Sequence, residues 1–491
     1  MSEKLEDQQP DAGRQSGIPG LVDWAGSRRG GTVTARAWRY IALILLLAVV
    51  GGASWLRCEG TAPTIEAPEA LLIGRDGVSL VLRVSDPDSG VREVEIRLHH
   101  EKGERVLFEK AYAGNPFTGG VAKPDADPIE IAIDPESLGM GDGEATLEVD
   151  ATDWSWAEFF AGNSRVLEIP IRVDLEPPRI WVESGLTYVR RGGAAAVVYS
   201  IDEPTSRDGV EVGDAFFSGF PFPTGDTAQA EGTPAGRRRF AVFAVARNAP
   251  ANAAIHVVGI DEAGNRTAVS WDTRIQEREF PEVRINLGGT FLSSKVPDLA
   301  SSLGMKAGDP VQTFQRINRE ARAASELRIR EIVATSSPER HWRGAFQQLR
   351  NSAVTSRFAE HRSYFAGGER VAEAIHYGYD LASTAGASIS AANAGRVIFT
   401  GALGIYGNCV IVDHGLGVTS LYAHLSRIDV HEGDLLEKGQ RLGLSGATGL
   451  AGGDHLHFAV LVGSTYVDPK EWWDPKWVRE HIEARLATQA P

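Results

Sequence analysis

The segment His455-Leu-His-Phe-Ala-Val-Leu-Val462 places two histidines directly before an apolar and partly β-branched run. Side chains at positions i and i+2 point to the same side of a strand, whereas on a helix they diverge by about 200°. A short apolar run rich in valine favours a strand. We therefore predict a β-sheet domain in which both imidazoles project from one face.

Two other stretches carry polar side chains at even spacing. In His376-Tyr-Gly-Tyr-Asp380 the histidine and the aspartate share one face if the segment is extended. They would share a face on a helix as well, and Gly378 favours the extended alternative. In Ser420-Leu-Tyr-Ala-His424-Leu425 the apolar and polar residues alternate, which places His424 on the polar face of a strand.

These residue types are those of a hydrolytic zinc centre. Such a centre uses three protein ligands from histidine and carboxylate and leaves a fourth position for water. His376, Asp380 and one histidine of the His455/His457 pair supply this set. The remaining histidines are then available for proton transfer and for stabilising an oxyanion. The spacing alone does not decide which histidine of the pair binds the metal.

The motifs also resemble a known family, the lysostaphin-type or LytM-like zinc metallopeptidases. The resemblance covers about residues 346–473 and rests on several segments in family order: His376 to Asp380, Ala394-Gly-Arg-Val397, Tyr406 to Gly415, Leu421-Tyr-Ala-His424-Leu425, Gly433 to Gln440, Gly446-Ala-Thr-Gly449 and His455 to Phe458. It implies a small all-β catalytic domain with a narrow groove that hydrolyses peptide cross-links of bacterial peptidoglycan. It implies Zn²⁺ held by His376, Asp380 and His457, with His424 and His455 as catalytic residues. Ala359 departs from the family, which usually has glycine there.

Two functions of different classes follow from this resemblance. The first is a zinc metalloendopeptidase acting on peptidoglycan. The alternative is a catalytically inactive LytM-like binding partner that regulates cell-wall amidases, as occurs in members that lost metal residues. All five expected residues are present, which favours the enzyme.

The segment 40–56, YIALILLLAVVGGASWL, is uncharged and at the short end of what spans a bilayer as a helix. Arg28, Arg29, Arg36 and Arg39 precede it, so the positive-inside rule keeps the N-terminus in the cytoplasm. We therefore predict an uncleaved, single-pass anchor in the inner (cytoplasmic) membrane. The C-terminal domains then lie in the periplasm or outside the cell.

Between the anchor and the histidines the chain reads as short alternating strands with an internal repeat. The run Asp86-Pro-Asp-Ser-Gly90 is echoed near Asp202 to Gly209, and Gly162-Asn163 is echoed by Gly264-Asn265. Repeated units of about 100 residues with alternating strands suggest β-sandwiches, and they resemble immunoglobulin-like domains. We expect spacers, with cell-wall protein partners as an alternative role.

Apolar residues at helical spacing between Asp309 and Ile332 then predict a helix, with Asp309-Pro310 at its start. The complete prediction is a multidomain, mainly β chain: a disordered cytoplasmic tail (1–39), a transmembrane anchor (40–56), β modules (60–175 and 176–285), a helical linker (286–345), the peptidase domain (346–475) and a C-terminal tail (476–491).

The composition allows two further conclusions, one about nucleic-acid binding and one about the cysteines. The 491-residue chain has a formal net charge of -15, which argues against a nucleic-acid binder because phosphate contacts need clustered lysine and arginine. Cys58 and Cys409 lie in segments assigned to different domains. We therefore expect both thiols to be free.

Overall fold

The structure, a computed structural model, describes residues 35–120, 128–223 and 238–487. Most of the predicted N-terminal tail lies outside these residues. Helix α1, Ala35–Arg57, contains the whole predicted anchor, and large apolar side chains such as Ile44 and Leu45 are exposed. None of the helices in the described part of the chain combines the length and the apolar character that crossing a membrane requires. The predicted helix is confirmed, but the predicted membrane span is not.

The first β module contains two sheets that share one hydrophobic core. The sheets have the strand orders β2-β8-β7-β4-β5 and β1-β3-β6. Buried residues alternate with exposed ones along β3 and with half-buried ones along β7, so each strand turns one face to the core. The alternating strands predicted between the anchor and the histidines are confirmed here by β3 and β4. The elements are β1 Thr64–Glu66, β2 Leu71–Ile73, β3 Val78–Ser85, β4 Val91–His100, β5 Gly103–Ala111, β6 Ile129–Ile133, α2 Pro135–Leu138, β7 Gly143–Asp153, α3 Ala157–Phe160 and β8 Ser164–Val173.

The second module has two four-stranded sheets, β14-β15-β11-β9 and β13-β12-β16-β17, and a parallel pair β10-β18. Strand β11 is buried along nearly its whole length and forms the centre of this module's core. The mainly β prediction is confirmed, whereas the immunoglobulin-like resemblance of the modules is not. The strands are β9 Ile180–Val182, β10 Thr187–Arg190, β11 Ala194–Ile201, β12 Arg207–Val212, β13 Ala215–Ser218, β14 Phe220–Pro221, β15 Arg238–Ala244, β16 Ile255–Ile260, β17 Arg266–Val269 and β18 Thr273–Gln276.

The two modules close corresponding loops with the same hydrogen bonds. The backbone N–H of Asn163 donates to Asp153 Oδ1 at 2.7 Å, and its side-chain amide donates to Asp153 Oδ2 at 2.8 Å. Asn265 bonds with Asp261 in the same way, at 2.8 Å in both contacts. The repeat seen at Gly-Asn in the sequence is thus a repeated loop structure. In the first module, the aspartate that accepts these hydrogen bonds is Asp153.

The linker joins the modules to the C-terminal domain through a strand and three helices. Strand β19, Glu282–Asn286, is followed by α4 Val296–Ser302, α5 Pro310–Arg316 and α6 Arg322–Ile332. A π-helical turn, Ile317–Ala321, makes α5 and α6 continuous. The Asp309 side chain accepts a hydrogen bond from Gln312 N at 2.9 Å, which confirms the predicted start of the helix.

The C-terminal domain is built on an antiparallel sheet with the order β20-β23-β31-β27-β26-β25-β29, and β32 lies beside β31. Every residue of the central strands β27 and β31 is buried. Its strands are β20 Ala353–Ser356, β21 His361–Ala366, β22 Glu369–Ile375, β23 Tyr379–Ala382, β24 Ser388–Ser390, β25 Gly395–Ala402, β26 Asn408–Gly415, β27 Val418–Leu425, β28 Arg427–Ile428, β29 Leu435–Leu436, β30 Arg441–Leu444, β31 Leu456–Val462 and β32 Thr465–Val467.

Short helices follow the last strand and pack against the rest of the chain. They are α7 Pro469–Trp473, α8 Pro475–Val478 and α9 Ala484–Leu486. Within the region predicted as a C-terminal tail, Val478 and Ile482 are fully buried. Glu471 on α7 accepts a hydrogen bond from Ala194 N of the second module at 3.1 Å. The C-terminal helices therefore connect the sheet domain to the second module.

Candidate metal centre

Strand register brings the predicted site residues together. Strands β23, β31 and β27 are neighbours, and Asp380 lies directly opposite His457. His457 in turn lies opposite Ala423, next to His424 at the end of β27. His376 follows the end of β22 and stands just before β23. Three separated segments of the chain thus place their polar side chains at one end of the sheet.

Three side-chain atoms meet at the centre of this group. His376 Nε2 lies 2.9 Å from Asp380 Oδ1 and 2.9 Å from His457 Nδ1. The distance from His457 Nδ1 to Asp380 Oδ1 is 3.0 Å. All three residues are buried. The three residues form a possible metal-binding group.

The hydrogen bonding of His376 shows that the group fits a cation. His376 Nδ1 lies 2.9 Å from the carbonyl oxygen of Arg357, which can only accept, so Nδ1 donates this hydrogen bond. In the tautomer with its proton on Nδ1, the ring turns a lone pair of Nε2 toward Asp380 Oδ1, which is another acceptor. Facing acceptors repel unless a proton or a cation lies between them. Two imidazole nitrogens and a carboxylate oxygen are a donor set that zinc prefers, so the residues present fit this metal.

His424 and His455 stand beside this group, and their ring centroids are 4.9 Å apart. His424 Nδ1 is 2.8 Å from Thr448 O, and His455 Nδ1 is 2.8 Å from Gly453 O. Since carbonyl oxygens only accept, Nδ1 carries a proton in both rings, and Nε2 of His455 lies 3.5 Å from Asp380 Oδ1. His424 also has a positive φ of 63°. Such backbone strain in a non-glycine residue is concentrated at functional sites.

The five residues line one pocket of about 120 Å³. Arg322 and Arg362 line it as well, together with Tyr364, Tyr377 and Tyr406. Arg322 belongs to the linker helix α6, so the wall of the pocket includes a residue from outside the sheet domain.

All five residues lie in a segment that matches a known protein family. Residues 374–469 match peptidase family M23. The chain carries an M23 peptidase domain. It is 36% identical over 115 residues to the peptidoglycan DD-endopeptidase ShyB of Vibrio cholerae, covering 23% of this chain and 26% of ShyB. It is 38% identical over 95 residues to the DD-carboxypeptidase/endopeptidase Mpg of Neisseria meningitidis, covering 19% of this chain and 22% of Mpg.

The chain thus spans about a quarter of the length of these curated relatives. Among solved structures, it is similar to the catalytic domain of lysostaphin from Staphylococcus simulans at 28% identity. That match covers 27% of this chain and 98% of the lysostaphin domain, with a TM-score of 0.23. The predicted LytM-like domain is confirmed by the family match.

Asp380 and the neighbouring histidines shift one another's pKa values. Burial raises the pKa of Asp380, but the neighbouring His376, His455 and His457 outweigh burial and hold this pKa well below its usual range. Burial lowers the pKa of His457 to about 4, with Asp380 opposing the shift. Burial, together with His457 and His455, also holds the pKa of His424 well below the ordinary value. The neutral rings that can donate a lone pair are therefore favoured at both positions.

The structure identifies one contact that the sequence reasoning missed. Arg362 Nη2 donates to Asp380 Oδ2 at 3.0 Å, and its guanidinium also contacts Glu360. Arg362 binds Oδ2 of Asp380, so that Oδ1 faces His376 and His457. Arg362 and Tyr364 lie two residues apart on β21 and share one face of the strand, but only the fold brings this strand beside Asp380.

Gly378 packs closely against the ring of His457. A Cβ atom at this position would lie 2.6 Å from Phe458 O and 2.7 Å from His457 Nε2 and Cε1. No real side chain approaches so closely. Gly378 therefore allows the chain before β23 to pass directly against the His457 ring.

Another histidine of the domain lies away from the metal-binding group. His414 is fully buried and bonds through Nδ1 with Ala394 O and through Nε2 with Ser420 Oγ, both at 2.7 Å. Cys58 and Cys409 are both free, as predicted. Ala359 has a positive φ of 62°, which explains physically why glycine is usual at this position in the family.

Proposed function

We propose that this protein is a zinc metalloendopeptidase that hydrolyses peptide cross-links of bacterial peptidoglycan. The observation that carries the proposal is the meeting of His376 Nε2, Asp380 Oδ1 and His457 Nδ1 beside two further histidines. M23 peptidases are generally zinc metalloenzymes. The matched relatives ShyB and Mpg are named as endopeptidases, so the non-catalytic alternative is not favoured.

In this proposal His376, Asp380 and His457 hold the metal. When bound, zinc supplies Lewis acidity that makes water a nucleophile near neutral pH. Arg362 holds the outer oxygen of Asp380 and so fixes the orientation of the carboxylate. The carbonyl oxygen of Arg357 likewise fixes the orientation of the His376 ring through its contact with Nδ1.

His424 and His455 handle protons in this proposal. Carbonyl oxygens hold the Nδ1–H of both rings, so each ring presents Nε2 for chemistry. A neutral Nε2 accepts a proton from the attacking water. A protonated Nε2–H donates to the oxyanion or to the leaving amine. The two rings lie side by side, so both can reach the same scissile bond.

The test measures zinc content and muropeptide release together on purified peptidoglycan, with and without a chelator. We expect His376→Ala, Asp380→Ala and His457→Ala to lose both zinc and activity. We expect His424→Ala and His455→Ala to keep zinc but to hydrolyse about a hundredfold or more slowly, as is usual for general acid–base groups.

The control variant is His431→Ala, because the side chain of His431 is 91% exposed. Retention of zinc by His457→Ala together with its loss from His424→Ala would reverse the assigned roles. A wild-type protein that binds zinc but releases no muropeptide would sink the enzymatic proposal.

We also infer that α1 attaches the chain to a membrane, with the M23 domain outside the cytoplasm, where peptidoglycan lies. Ile44, Leu45, Leu46 and Leu47 are each 58–64% exposed. Burying one such side chain fully stabilises a protein by roughly 1.5–3 kcal/mol, so α1 gains from an apolar environment. The test is extraction of membranes with high salt and then with alkali. Recovery of the full chain in the salt wash would contradict the inference.

A further inference from the structure

Helix α6 of the linker is fixed to the M23 domain at the edge of the pocket. The Ser325 hydroxyl accepts a hydrogen bond from Ile405 N at 3.2 Å. The Glu326 carboxylate accepts from Tyr406 OH at 2.7 Å and from Tyr466 OH at 2.9 Å. Both oxygens of Glu326 are therefore engaged by the domain, and α6 forms a stable part of the pocket wall.

Arg322 lies one helical turn before Glu326 and so faces the same side of α6. It is partly buried and lines the pocket together with the histidines and Asp380. Its guanidinium Nε and Nη2 donate to Asn318 Oδ1 at 3.2 and 3.0 Å. Asn318 is a neutral amide, so this contact satisfies donors without compensating the charge.

The second guanidinium in the pocket differs in this respect. Arg362 forms ion pairs with both Glu360 and Asp380. Within residues 35–120, 128–223 and 238–487, no carboxylate forms an ion pair with Arg322. The pocket therefore contains one ion-paired guanidinium beside the metal centre and one guanidinium without an ion pair on the linker helix.

A partly buried guanidinium that forms no ion pair can bind a carboxylate of a ligand. Its planar donors match the two oxygens of a carboxylate, and such charge-assisted pairs are about twice as strong as neutral hydrogen bonds. Taking the cation out of water without a partner is unfavourable, and a ligand carboxylate removes that cost. The stem peptides of peptidoglycan carry free carboxylates.

We propose that Arg322 is a specificity-determining residue that binds a free carboxylate of the peptidoglycan stem peptide. The inference rests on the proposed function and names the substrate group that the linker recognises. It also gives the linker a role in substrate selection, since Arg322 lies outside residues 374–469.

The experiment uses the full chain freed of metal, so that binding is measured without hydrolysis. The probes are a purified cross-linked muropeptide dimer and the same dimer with its carboxylates converted to carboxamides. We expect the wild type to bind the carboxylate form at least tenfold more tightly by calorimetry. Arg322→Gln removes this preference, and Arg322→Lys restores part of it because it keeps the charge but loses the planar fork.

Arg328→Gln is the matched control, because Arg328 lies on the same helix, is 56% exposed and pairs with Glu331. Circular dichroism and Tm show whether α6 is kept in each variant. An unchanged carboxylate preference in a folded Arg322→Gln protein would overturn the inference. Equal wild-type affinity for both dimers, with muropeptide release intact when zinc is restored, overturns the inference alone. A wild type that neither binds nor hydrolyses the dimer overturns the proposed function as well.

Discussion

Gly378→Ala tests whether the close packing around His457 holds the metal centre in place. The added Cβ would lie 2.6 Å from Phe458 O and 2.7 Å from two atoms of the His457 ring. Ordinary contacts of a Cβ atom begin at about 3.4 Å, so the backbone or the ring must move by somewhat less than 1 Å. Phe458 O belongs to the central sheet, so the side chain of His457 moves more easily.

A shift of this size has a large effect on metal binding. Loss of a supporting contact around a metal ligand typically costs 10–100-fold in affinity, and a misplacement of about 1 Å costs about a hundredfold in rate. We therefore expect Gly378→Ala to bind zinc roughly 10–100-fold more weakly. Muropeptide release should fall by about a hundredfold even at saturating zinc.

The assay is zinc titration against a competing chelator, followed by muropeptide release at saturating zinc. Gly289→Ala is the control, because a Cβ there meets no atom within 4 Å and its φ is not in the left-handed region. The Tm of the metal-free proteins separates a general loss of stability from a local effect. Wild-type zinc affinity in a folded Gly378→Ala protein would refute the reasoning.

Two further predictions concern charged side chains that the fold buries. Burial raises the pKa of Glu471 to about 8. The folded state therefore keeps this proton at pH values where the unfolded state has lost it, and the free energy of unfolding should fall as pH rises from about 4.5 to 8. Glu471→Gln should flatten the Tm profile in this window, and an unchanged profile would contradict the assignment. Arg362→Gln leaves the Asp380 carboxylate without its cation, so we expect a loss of about 3 kcal/mol in stability and weaker zinc binding, measured by denaturation and zinc titration. The exposed Arg370→Gln is its control, and equal effects in both variants would show that the contact to Asp380 is unimportant.

The sequence by itself determined the residues of the site and the local structure around them. Periodicity of two placed His424 on a strand, and the structure confirms β27 at Val418–Leu425. The helix start at Asp309 was readable because a cap is a local hydrogen bond between neighbours in the chain. These features depend on contacts within a few residues, which a sequence shows directly.

Only the tertiary structure decided which atoms meet. The choice of His457 Nδ1 as the atom facing Asp380 follows from the register of β23 against β31, which is set by packing across the sheet. The same holds for Arg322, which comes from a helix outside the matched domain and enters the pocket through the docking of α6. Contacts between residues that are distant in the chain depend on how whole elements pack. No local sequence pattern specifies that packing. The histidines could therefore be predicted from the sequence, whereas their contact partners are seen only in the tertiary structure.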